Sequence, residues 1–202
     1  MKPDLRHEAA AGDGAVCGID EAGRGPWAGP VVAAAVILDA ALMPEGIDDS
    51  KRLTPRRRGL LAGLIRQTAR TGTGLASVAE IDSLGIVPAT DLAMARAVAA
   101  LDTPPVHALV DGRHLPKDLG CPATTIIKGD QQSLSIAAAS IIAKVTRDQM
   151  MVALSQQFPG YSWETNKGYG TKAHQSGLEK LGPTPHHRQS FRPIHKILYK
   201  EI

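Results

Sequence analysis

The chain has 202 residues and a formal net charge of +3, with 43% hydrophobic and 21% charged residues. This composition is ordinary for a soluble globular protein of about one domain. The longest apolar stretches, residues 31–38 and 136–143, are far shorter than the ~20 apolar residues that a membrane span requires.

The first fourteen residues are polar and mixed in charge, without the apolar core of a secretory signal. We therefore expect a flexible segment over residues 1–14 and a single domain over residues 15–202, in a cytoplasmic protein without membrane association. Cys17 and Cys121 have neither C-x-x-C spacing nor the density of a disulfide scaffold. We interpret them as two reduced thiols that pack as small apolar groups.

Basic residues are concentrated in two parts of the chain. Residues 51–70 contain seven Lys or Arg and no acid, and residues 167–202 contain seven more against Glu179 and Glu201. The two stretches carry +7 and +5, so the rest of the chain sums to −9. Basic surfaces beside an acidic centre suit a polyanion bound to a metal-loaded carboxylate cluster. Two solvated helix faces would give the same charges, so charge alone does not decide the function.

The first third of the chain predicts two strands and a helix. Residues 15–20 and 30–38 are rich in Val, Ile and Ala, and they predict strands joined by the glycine-rich turn GRGPWAG. Thr54 followed by Pro55 indicates a helix start, with Thr as N-cap and Pro at the first helical position. The apolar stripe of this helix, with the arginines outside it, consists of Leu60, Leu61, Leu64 and Ile65.

The remaining sequence alternates strands and helices. The further predicted elements are strands over residues 73–79, 107–111 and 123–128, a helix that ends near residue 101 and a long helix over residues 131–157. Pro88 is tolerated in the first of these helices only because it falls near the first turn. Pro159 and Gly160 stop the second. This order indicates an α/β domain with a mixed β-sheet.

Asp20 and Glu21 lie in GIDEAGRG, at the predicted end of an apolar strand. Buried carboxylates are costly unless they are paired or metal-bound, so two adjacent acids at this point indicate a ligand site. Because successive strand residues point to opposite faces, we expect Asp20 to face the site from the sheet. Glu21 would reach it with a longer side chain where the strand breaks. A solvated strand end is the alternative explanation for the pair.

Other polar residues follow later elements. Asp111 ends the apolar strand of LVDGRH, where it could instead form a turn, and Asp130 follows the strand of TTIIKGDQQS, where it could instead cap the long helix. Asp148, within that helix, is expected to be exposed or in an ion pair. His186 and His187 lie in a Pro-rich basic tail, and we expect them at the surface or on phosphate rather than on a metal.

The coincidence of these acids indicates a metal site. Three apolar strands each deliver an acid at or just beyond the C-terminal end, which is the edge where ligands bind in open α/β sheets. Hard cations such as Mg²⁺ prefer oxygen ligands, and three or four carboxylates could hold one or two ions without His or Cys. Two such ions would activate a water and stabilise the leaving oxygen of a phosphoryl displacement.

Two glycine-rich segments are candidate substrate contacts. The Gly23-Arg24-Gly25 turn allows close approach of the backbone to a ligand, and Arg24 is available for phosphate. Tyr169 lies between glycines in NKGYGTKAH, where its ring could stack on a sugar or base and its hydroxyl could bond a 2′-OH. An ordinary half-buried loop aromatic is the alternative. With seven aromatic residues in the chain, the composition does not favour an extended base-stacking surface.

The motifs, taken in order, resemble those of bacterial ribonuclease HII over roughly residues 16–193. They are GIDEAGRGPWAGPVVAAAV, DDSKRLT, LVDG, IIKGDQQSLSIAAASIIAKVTRD, GYGTKAH and HRQSFRP. Each motif is weak alone, but their common order is highly specific. The resemblance implies a ribonuclease H-like mixed β-sheet flanked by helices, with a helical C-terminal portion.

The resemblance also implies an activity. Such an enzyme would cut the RNA strand of RNA–DNA hybrids and the 5′ side of ribonucleotides embedded in duplex DNA. Mn²⁺ or Mg²⁺ would be held by four acids, Asp20, Glu21, Asp111 and Asp130. The Lys-Gly before Asp130, as in bacterial members, favours it over Asp148. The implied substrate-binding residues are Gly23, Arg24, Gly25, Lys51 and Tyr169. We expect a monomer, and a sliding-clamp partner stays undecided because no clamp-binding peptide is recognisable after residue 197.

Two other function classes stay open from the residues alone. A DNA resolvase or integrase-like nuclease would share the acids without needing a 2′-OH sensor, and it would cut all-DNA duplexes equally well. A non-catalytic nucleic-acid-binding module would carry the acids as structural residues and would have no activity to lose.

Overall fold

The computed structural model describes residues 2–199, and within them five strands form one sheet in the order β3-β2-β1-β4-β5. The strands are β1 Val16–Ala22, β2 Val31–Ile37, β3 Arg70–Ala76, β4 His107–Asp111 and β5 Ala123–Ile126. β2 pairs with β1 and β3 in antiparallel orientation, whereas β4 pairs with β1 and β5 in parallel. The predicted α/β class with a mixed sheet is confirmed.

Eight α-helices in the same residues flank the sheet or follow it. They are α1 Arg6–Ala10, α2 Pro55–Thr68, α3 Val78–Leu84, α4 Ile86–Ala99, α5 Leu134–Gln157, α6 Trp163–Asn166, α7 Lys172–Leu181 and α8 Arg192–Tyr199. The last three form the predicted helical C-terminal portion. No helix in the described part of the chain has the length and apolar character needed to cross a membrane.

The sheet is covered on both faces, which explains the continuous apolar sequence of β2. Ala33 and Ala35 face the core formed with α4, and Ala34 and Val36 face the core formed with α2 and α5. Small side chains let the helices approach closely. At Gly18 in β1, a Cβ would lie 2.1 Å from the backbone of α5, and at Gly72 in β3 a Cβ would lie 2.1 Å from the backbone of α4.

The third predicted strand and the helix after it have different ends in the structure. β3 stops at Ala76 because Ser77 and Glu80 form a capping box that starts α3. Gly85, with φ of +84°, then separates α3 from α4, so one predicted helix is two. Pro88 lies in the first turn of α4, as expected.

The predicted start of α2 is confirmed, because Thr54 Oγ1 accepts a hydrogen bond from Arg57 N at 3.3 Å. The predicted apolar stripe of this helix is half wrong. Leu61 and Ile65 are buried, whereas Leu60 and Leu64 are 56% and 42% exposed. A helix turns about 100° per residue, so the two buried side chains share the face of α2 that meets α5, and the other two lie toward the solvent side of α2.

Residues 1–14, expected to form a flexible segment, contain α1 and are bonded to the start of α5. Asp4 N donates to Gln132 O at 3.1 Å, and Glu8 Oε1 accepts from Ser135 N at 2.8 Å. Composition could not indicate these contacts, because their partners are more than a hundred residues away in sequence.

The two cysteines are free thiols, as predicted. Cys17 is buried between the sheet and α4, and Cys121 packs half-buried against the same core. Burial raises the pKa of Cys17 to about 12, so this thiol is protonated and behaves as a small apolar group.

Candidate active site

The parallel pairing of β1 and β4 brings two of the predicted acids side by side. The register puts Asp20 and Asp111 directly after the last paired residues, in the same row of the sheet. Gly18 and Leu109, two residues earlier on each strand, pack against α5 or its first residues. Because residues two apart share a face, Asp20 and Asp111 both point to the α5 side.

Asp130 reaches the same place from the turn after β5. Lys128 takes a left-handed conformation and is followed by the 3₁₀ turn Gly129–Gln131. Gly129 N donates to Asp111 Oδ1 at 2.7 Å, which ties this turn to β4. Carboxylate oxygens of Asp20, Asp111 and Asp130 all lie within 4.8 Å of one another. We call these three residues the acid cluster.

The alternative role of Asp130 as the N-cap of α5 is wrong. Ser133 caps that helix, and its Oγ accepts from Ile136 N at 3.2 Å. Asp148 lies outside the acid cluster and forms an ion pair with Lys144, with 2.7 Å between Oδ1 and Nζ. The structure therefore assigns the two acids near α5 to different environments, as the sequence indicated.

The acid cluster concentrates negative charge. Burial, with the neighbouring charges of Glu21 and Asp111, raises the pKa of Asp20 well above its usual range. Burial and the charges of Asp111 and Asp49 likewise raise the pKa of Asp130. Such shifts mean that the ionised forms are unfavourable unless a cation compensates them. A set of clustered carboxylate oxygens fits a hard divalent cation such as Mg²⁺ or Mn²⁺.

Glu21 lies on the opposite face from Asp20, because β1 continues past it instead of breaking as predicted. It lines a cavity of about 210 Å³ together with Asp111, residues of α4 and the 112–116 segment. Burial raises the pKa of Glu21, against the attraction of Arg24, whose Nη1 is 3.4 Å from Oε1. Glu21 therefore stands outside the acid cluster but adjoins it through Asp111.

The same cavity contains two residues that no sequence motif indicated, Asp91 and His114. Asp91 in α4 is 8% exposed, and its two carboxylate oxygens lie 2.9 and 3.0 Å from Nε2 of His114. The signal that could have revealed it is an acid on the apolar face of α4, because a buried carboxylate needs a partner.

Lys51, the predicted phosphate contact, lies on the outer side of the acid cluster. Its Nζ is 3.5 Å from Asp130 Oδ2, and its side chain is 81% exposed. Burial lowers the pKa of Lys51, but the attraction of Asp130, Asp20 and Asp49 outweighs this effect and leaves it raised. Asp49, also missed, is buried and accepts from Lys51 N at 2.9 Å and from Gln131 Nε2 at 3.3 Å. It therefore joins the Lys51 loop to the turn that carries Asp130.

Two buried arginines hold the glycine-rich loop after β1. Arg188 donates to the carbonyl oxygens of residues 23, 24 and 29, and Arg147 donates to those of residues 28, 30 and 167. A Cβ at Gly23 would lie 2.0 Å from Arg147 Nε, and φ at Gly23 is +101°. Only glycine fits this position.

Arg188 corrects the predicted basic surface of residues 167–202, because its side chain is fully buried. Its guanidinium donates hydrogen bonds to the loop carbonyl oxygens and is not available to attract a polyanion. Burial lowers the pKa of Arg188 to about 9 and that of Arg147 to about 10. No local pattern indicates either role, because the bonded loop is more than a hundred residues away.

Tyr169 lies beside the loop that these arginines hold. Its side chain is 48% exposed, and Cε1 is 3.6 Å from the position that a Cβ would take at Gly25. The two predicted recognition segments are therefore neighbours in space. An ordinary half-buried loop aromatic would have the same exposure, so the proximity to Gly25 is the distinguishing observation.

The prediction that His187 lies at the surface or on phosphate is wrong. His187 is fully buried, and its Nε2 is 3.0 Å from Nε2 of His174, which is also fully buried. His186 is half-buried, with its ring edge-on to Phe158 at 4.9 Å between centroids. The Pro-rich segment packs into the aromatic cluster around Trp163 instead of following the solvent surface.

Comparisons with known proteins agree with this geometry. The family model for ribonuclease HII matches residues 17–201. The chain is 57% identical over 202 residues to the ribonuclease HII of Ruegeria sp. strain TM1040, with 98% of this chain and 88% of that protein covered. The chain belongs to the ribonuclease HII family. The ribonuclease HII of Jannaschia sp. strain CCS1 is 56% identical over 198 residues, with 98% and 99% covered.

One of the solved structures to which the chain is similar is that of the PCNA:RNase HII complex from Archaeoglobus fulgidus. It matches with a TM-score of 0.76 at 27% identity, and the match covers 88% of this chain and 95% of that one. The ribonuclease H-like fold implied by the resemblance is confirmed. As a ribonuclease HII, the chain is a metal-dependent ribonuclease, and therefore a hydrolase. This membership decides against the DNA resolvase and the non-catalytic binding module.

Proposed function

We propose that this ribonuclease HII cuts the RNA strand of RNA–DNA hybrids and the 5′ side of ribonucleotides embedded in duplex DNA, leaving 3′-hydroxyl and 5′-phosphate ends. The observation that carries the proposal is the acid cluster, whose three carboxylates lie within 4.8 Å of one another. Tyr169, which lies beside Gly25 of the glycine-rich loop, adds the candidate contact to the ribose. We further propose that it acts in the cytoplasm through one domain, residues 15–202.

The proposed catalytic and metal-holding residues are Asp20, Glu21, Asp111 and Asp130. The acid cluster would hold Mn²⁺ or Mg²⁺, and Glu21 would contribute from the other face of the sheet, next to Asp111. When bound, two such cations supply an activated water and charge stabilisation for the leaving oxygen. The raised pKa values of Asp20, Glu21 and Asp130 support this role, because cation binding relieves the unfavourable charge.

The proposed phosphate contacts are Lys51 and Arg24. The Lys51 side chain is 81% exposed and that of Arg24 is 49% exposed, and each has a carboxylate of the proposed catalytic set within 3.5 Å. They can therefore move from these carboxylates to substrate phosphates next to the scissile bond. Arginine and lysine are the side chains that bind phosphate by charge-assisted hydrogen bonds.

The proposed sensor of the ribose is Tyr169, together with Gly23, Arg24 and Gly25. The tyrosine hydroxyl can bond a 2′-OH, the group that separates RNA from DNA. The loop beside it lacks side chains at two of three positions, so its backbone can approach the sugar closely. Because only Ala22 separates this loop from Asp20 and Glu21, recognition of the 2′-OH and alignment of the scissile phosphate are coupled through a short stretch of chain.

We propose that the chain acts as a monomer on one duplex. The Archaeoglobus fulgidus relative was solved in complex with PCNA, whereas the sequence of this chain left a clamp partner undecided. Gel filtration of the chain alone tests the monomer, and the same run with a bacterial sliding clamp tests for that partner.

The activity is tested with three labelled duplexes, each with Mg²⁺ and with Mn²⁺: all DNA, DNA with one ribonucleotide, and an RNA–DNA hybrid. We expect cutting of the last two only, and its loss in Asp111→Asn. Asp148→Asn is the matched control, because it removes the charge of an acid outside the acid cluster. Equal cutting of the all-DNA duplex, or full activity of Asp111→Asn, would contradict the proposal.

A further inference from the structure

His174 forms a hydrogen bond with the main chain of Tyr169. Its Nδ1 is 3.0 Å from Tyr169 O, which also accepts from Thr171 N at 2.8 Å. Tyr169 N donates in turn to Asn166 O at 3.0 Å. The imidazole therefore fixes the peptide group that follows the Tyr169 side chain.

Glycines on both sides of Tyr169 pack without free space. A Cβ at Gly168 would lie 2.5 Å from Ala28 O, and a Cβ at Gly170 would lie 2.1 Å from the Trp27 ring. The loop is therefore packed against Trp27 and Ala28 of the glycine-rich turn. In such close packing, the orientation of one peptide group determines where the tyrosine ring projects.

The neighbours of His174 fix its tautomer. Thr184 N donates to Nδ1 of His187 at 2.8 Å, so the proton of a neutral His187 is on Nε2. That Nε2 lies 3.0 Å from Nε2 of His174, and Trp163 Nε1 donates to the same His174 atom at 3.1 Å. A nitrogen that receives donors carries no proton. The proton of His174 is therefore on Nδ1, where it is donated to Tyr169 O.

Only the neutral pair satisfies these contacts. Both imidazoles are fully buried, and the rings of Tyr161 and Trp163 lie 5.0 and 5.1 Å from that of His187, between centroids. Burial lowers the pKa of His174 and lowers that of His187 to about 4. A proton on Nε2 of His174 would face two other donors, which would break the arrangement.

We propose that His174 is a positioning residue for Tyr169, and that His187, held by Thr184, sets the tautomer in which His174 acts. The inference rests on the proposed function, in which Tyr169 senses the 2′-OH. His174 does not touch the substrate. It holds the Tyr169 peptide so that the hydroxyl meets the 2′-OH while the scissile phosphate lies at the acid cluster. Its loss should therefore lower turnover more than it lowers duplex binding.

Conservative variants separate the two bonds of each histidine. His174→Gln offers a polar group near the Nε2 position but no donor at the Nδ1 position, so it loses the bond to Tyr169 O. His174→Asn offers a donor near Nδ1 and is the matched control. For His187, His187→Gln keeps a donor near Nε2, and His187→Asn keeps only the acceptor for Thr184 N.

The readouts are kcat and KM on DNA with one ribonucleotide, and the unfolding midpoint of each variant. We expect His174→Gln to lower kcat on the order of 10- to 100-fold, the cost of a small misplacement of a reacting group, with KM nearly unchanged. At position 174, the Asn variant should retain a higher kcat than the Gln variant. At position 187, the Gln variant should retain a higher kcat than the Asn variant. If the Asn and Gln variants of one histidine lose kcat equally, the role assigned to that histidine is overturned.

A double-mutant cycle distinguishes positioning from general structural damage. If His174 acts through Tyr169, adding His174→Gln to Tyr169→Ala should lower kcat little further than Tyr169→Ala alone. Losses that multiply would overturn the inference and leave the proposed role of Tyr169 intact. A Tyr169→Ala enzyme with wild-type kcat would instead overturn both.

Discussion

Replacing Asp20 by Asn should stabilise the metal-free protein while abolishing its activity. The amide has the same shape and keeps an oxygen to accept the hydrogen bond from Glu21 N, which is 2.7 Å from Asp20 Oδ1. It removes the negative charge that burial and the charges of Glu21 and Asp111 make unfavourable. The wild-type side chain is therefore retained for metal binding at a cost in stability.

The magnitude follows from the geometry of the acid cluster. Two unit charges at 4.8 Å, the upper limit of the distances in the acid cluster, repel by roughly 3 kcal/mol at an effective dielectric constant of about 20, and by less than ~1 kcal/mol in bulk water. We therefore expect Asp20→Asn to raise the free energy of unfolding by about 1 to 3 kcal/mol at neutral pH. For a chain of this length, the unfolding midpoint would rise by about 2 to 4 °C per kcal/mol.

The assay is thermal unfolding followed by circular dichroism, first with EDTA and then with Mn²⁺ in excess. In EDTA the variant should unfold at a higher temperature than the wild type. With Mn²⁺ the wild type should gain stability by mass action, and the variant should gain less because its site is weakened. Asp148→Asn, which breaks a single ion pair with Lys144, should change the midpoint little. An Asp20→Asn protein that is less stable than the wild type in EDTA would refute the reasoning.

Three further predictions concern other parts of the site. Gly23→Ala should destabilise the protein by about 2 kcal/mol or more in urea unfolding, because the new Cβ would lie 2.0 Å from Arg147 Nε and the residue has a positive φ. Gly59→Ala in α2 is the control: open space surrounds this position, so the change should be neutral or stabilising. Burial lowers the pKa of His187 in the folded protein to about 4. Below pH ~6.5, the unfolded chain therefore binds a proton at this imidazole more readily than the folded protein does. The free energy of unfolding should fall by up to about 3 kcal/mol as the pH drops toward 4. His187→Gln should show a shallower fall, and an unchanged slope would contradict this assignment. Lys51→Ala should raise KM and reduce the salt dependence of duplex binding by roughly one charge, whereas an unchanged slope would argue against a phosphate contact.

The acids of the cluster could be found from the sequence because each follows a locally readable strand. The runs before Asp20, Asp111 and Asp130 are apolar, and strands β1, β4 and β5 are parallel, so their C-terminal ends meet at one edge. The order of motifs along the chain was equally informative, since it indicated the family. What the strands could not reveal was the side of the sheet for Glu21, because that depended on whether β1 broke or continued.

The residues that support the site were not predictable in this way. Arg147 and Arg188 looked like ordinary basic residues, and His187 looked like part of a polar tail. All three are buried; the arginines bond main-chain groups more than a hundred residues away, and His187 bonds His174, thirteen residues away. Leu60 was misplaced for a related reason, since an apolar side chain at helical spacing does not show which face of α2 meets α5.

The sequence by itself determined the α/β class, the family and the acids at the strand ends, because these depend on local apolar patterns and on motif order along the chain. Only the tertiary structure decided which side chains enclose and orient the site. Examples are the hydrogen bonds of Asp91 with His114, of Arg188 with the carbonyl oxygens after β1, and of His174 with His187. The physical reason is that a buried polar group must be satisfied by whatever partner the packed chain brings to it, and local periodicity carries no information about that partner.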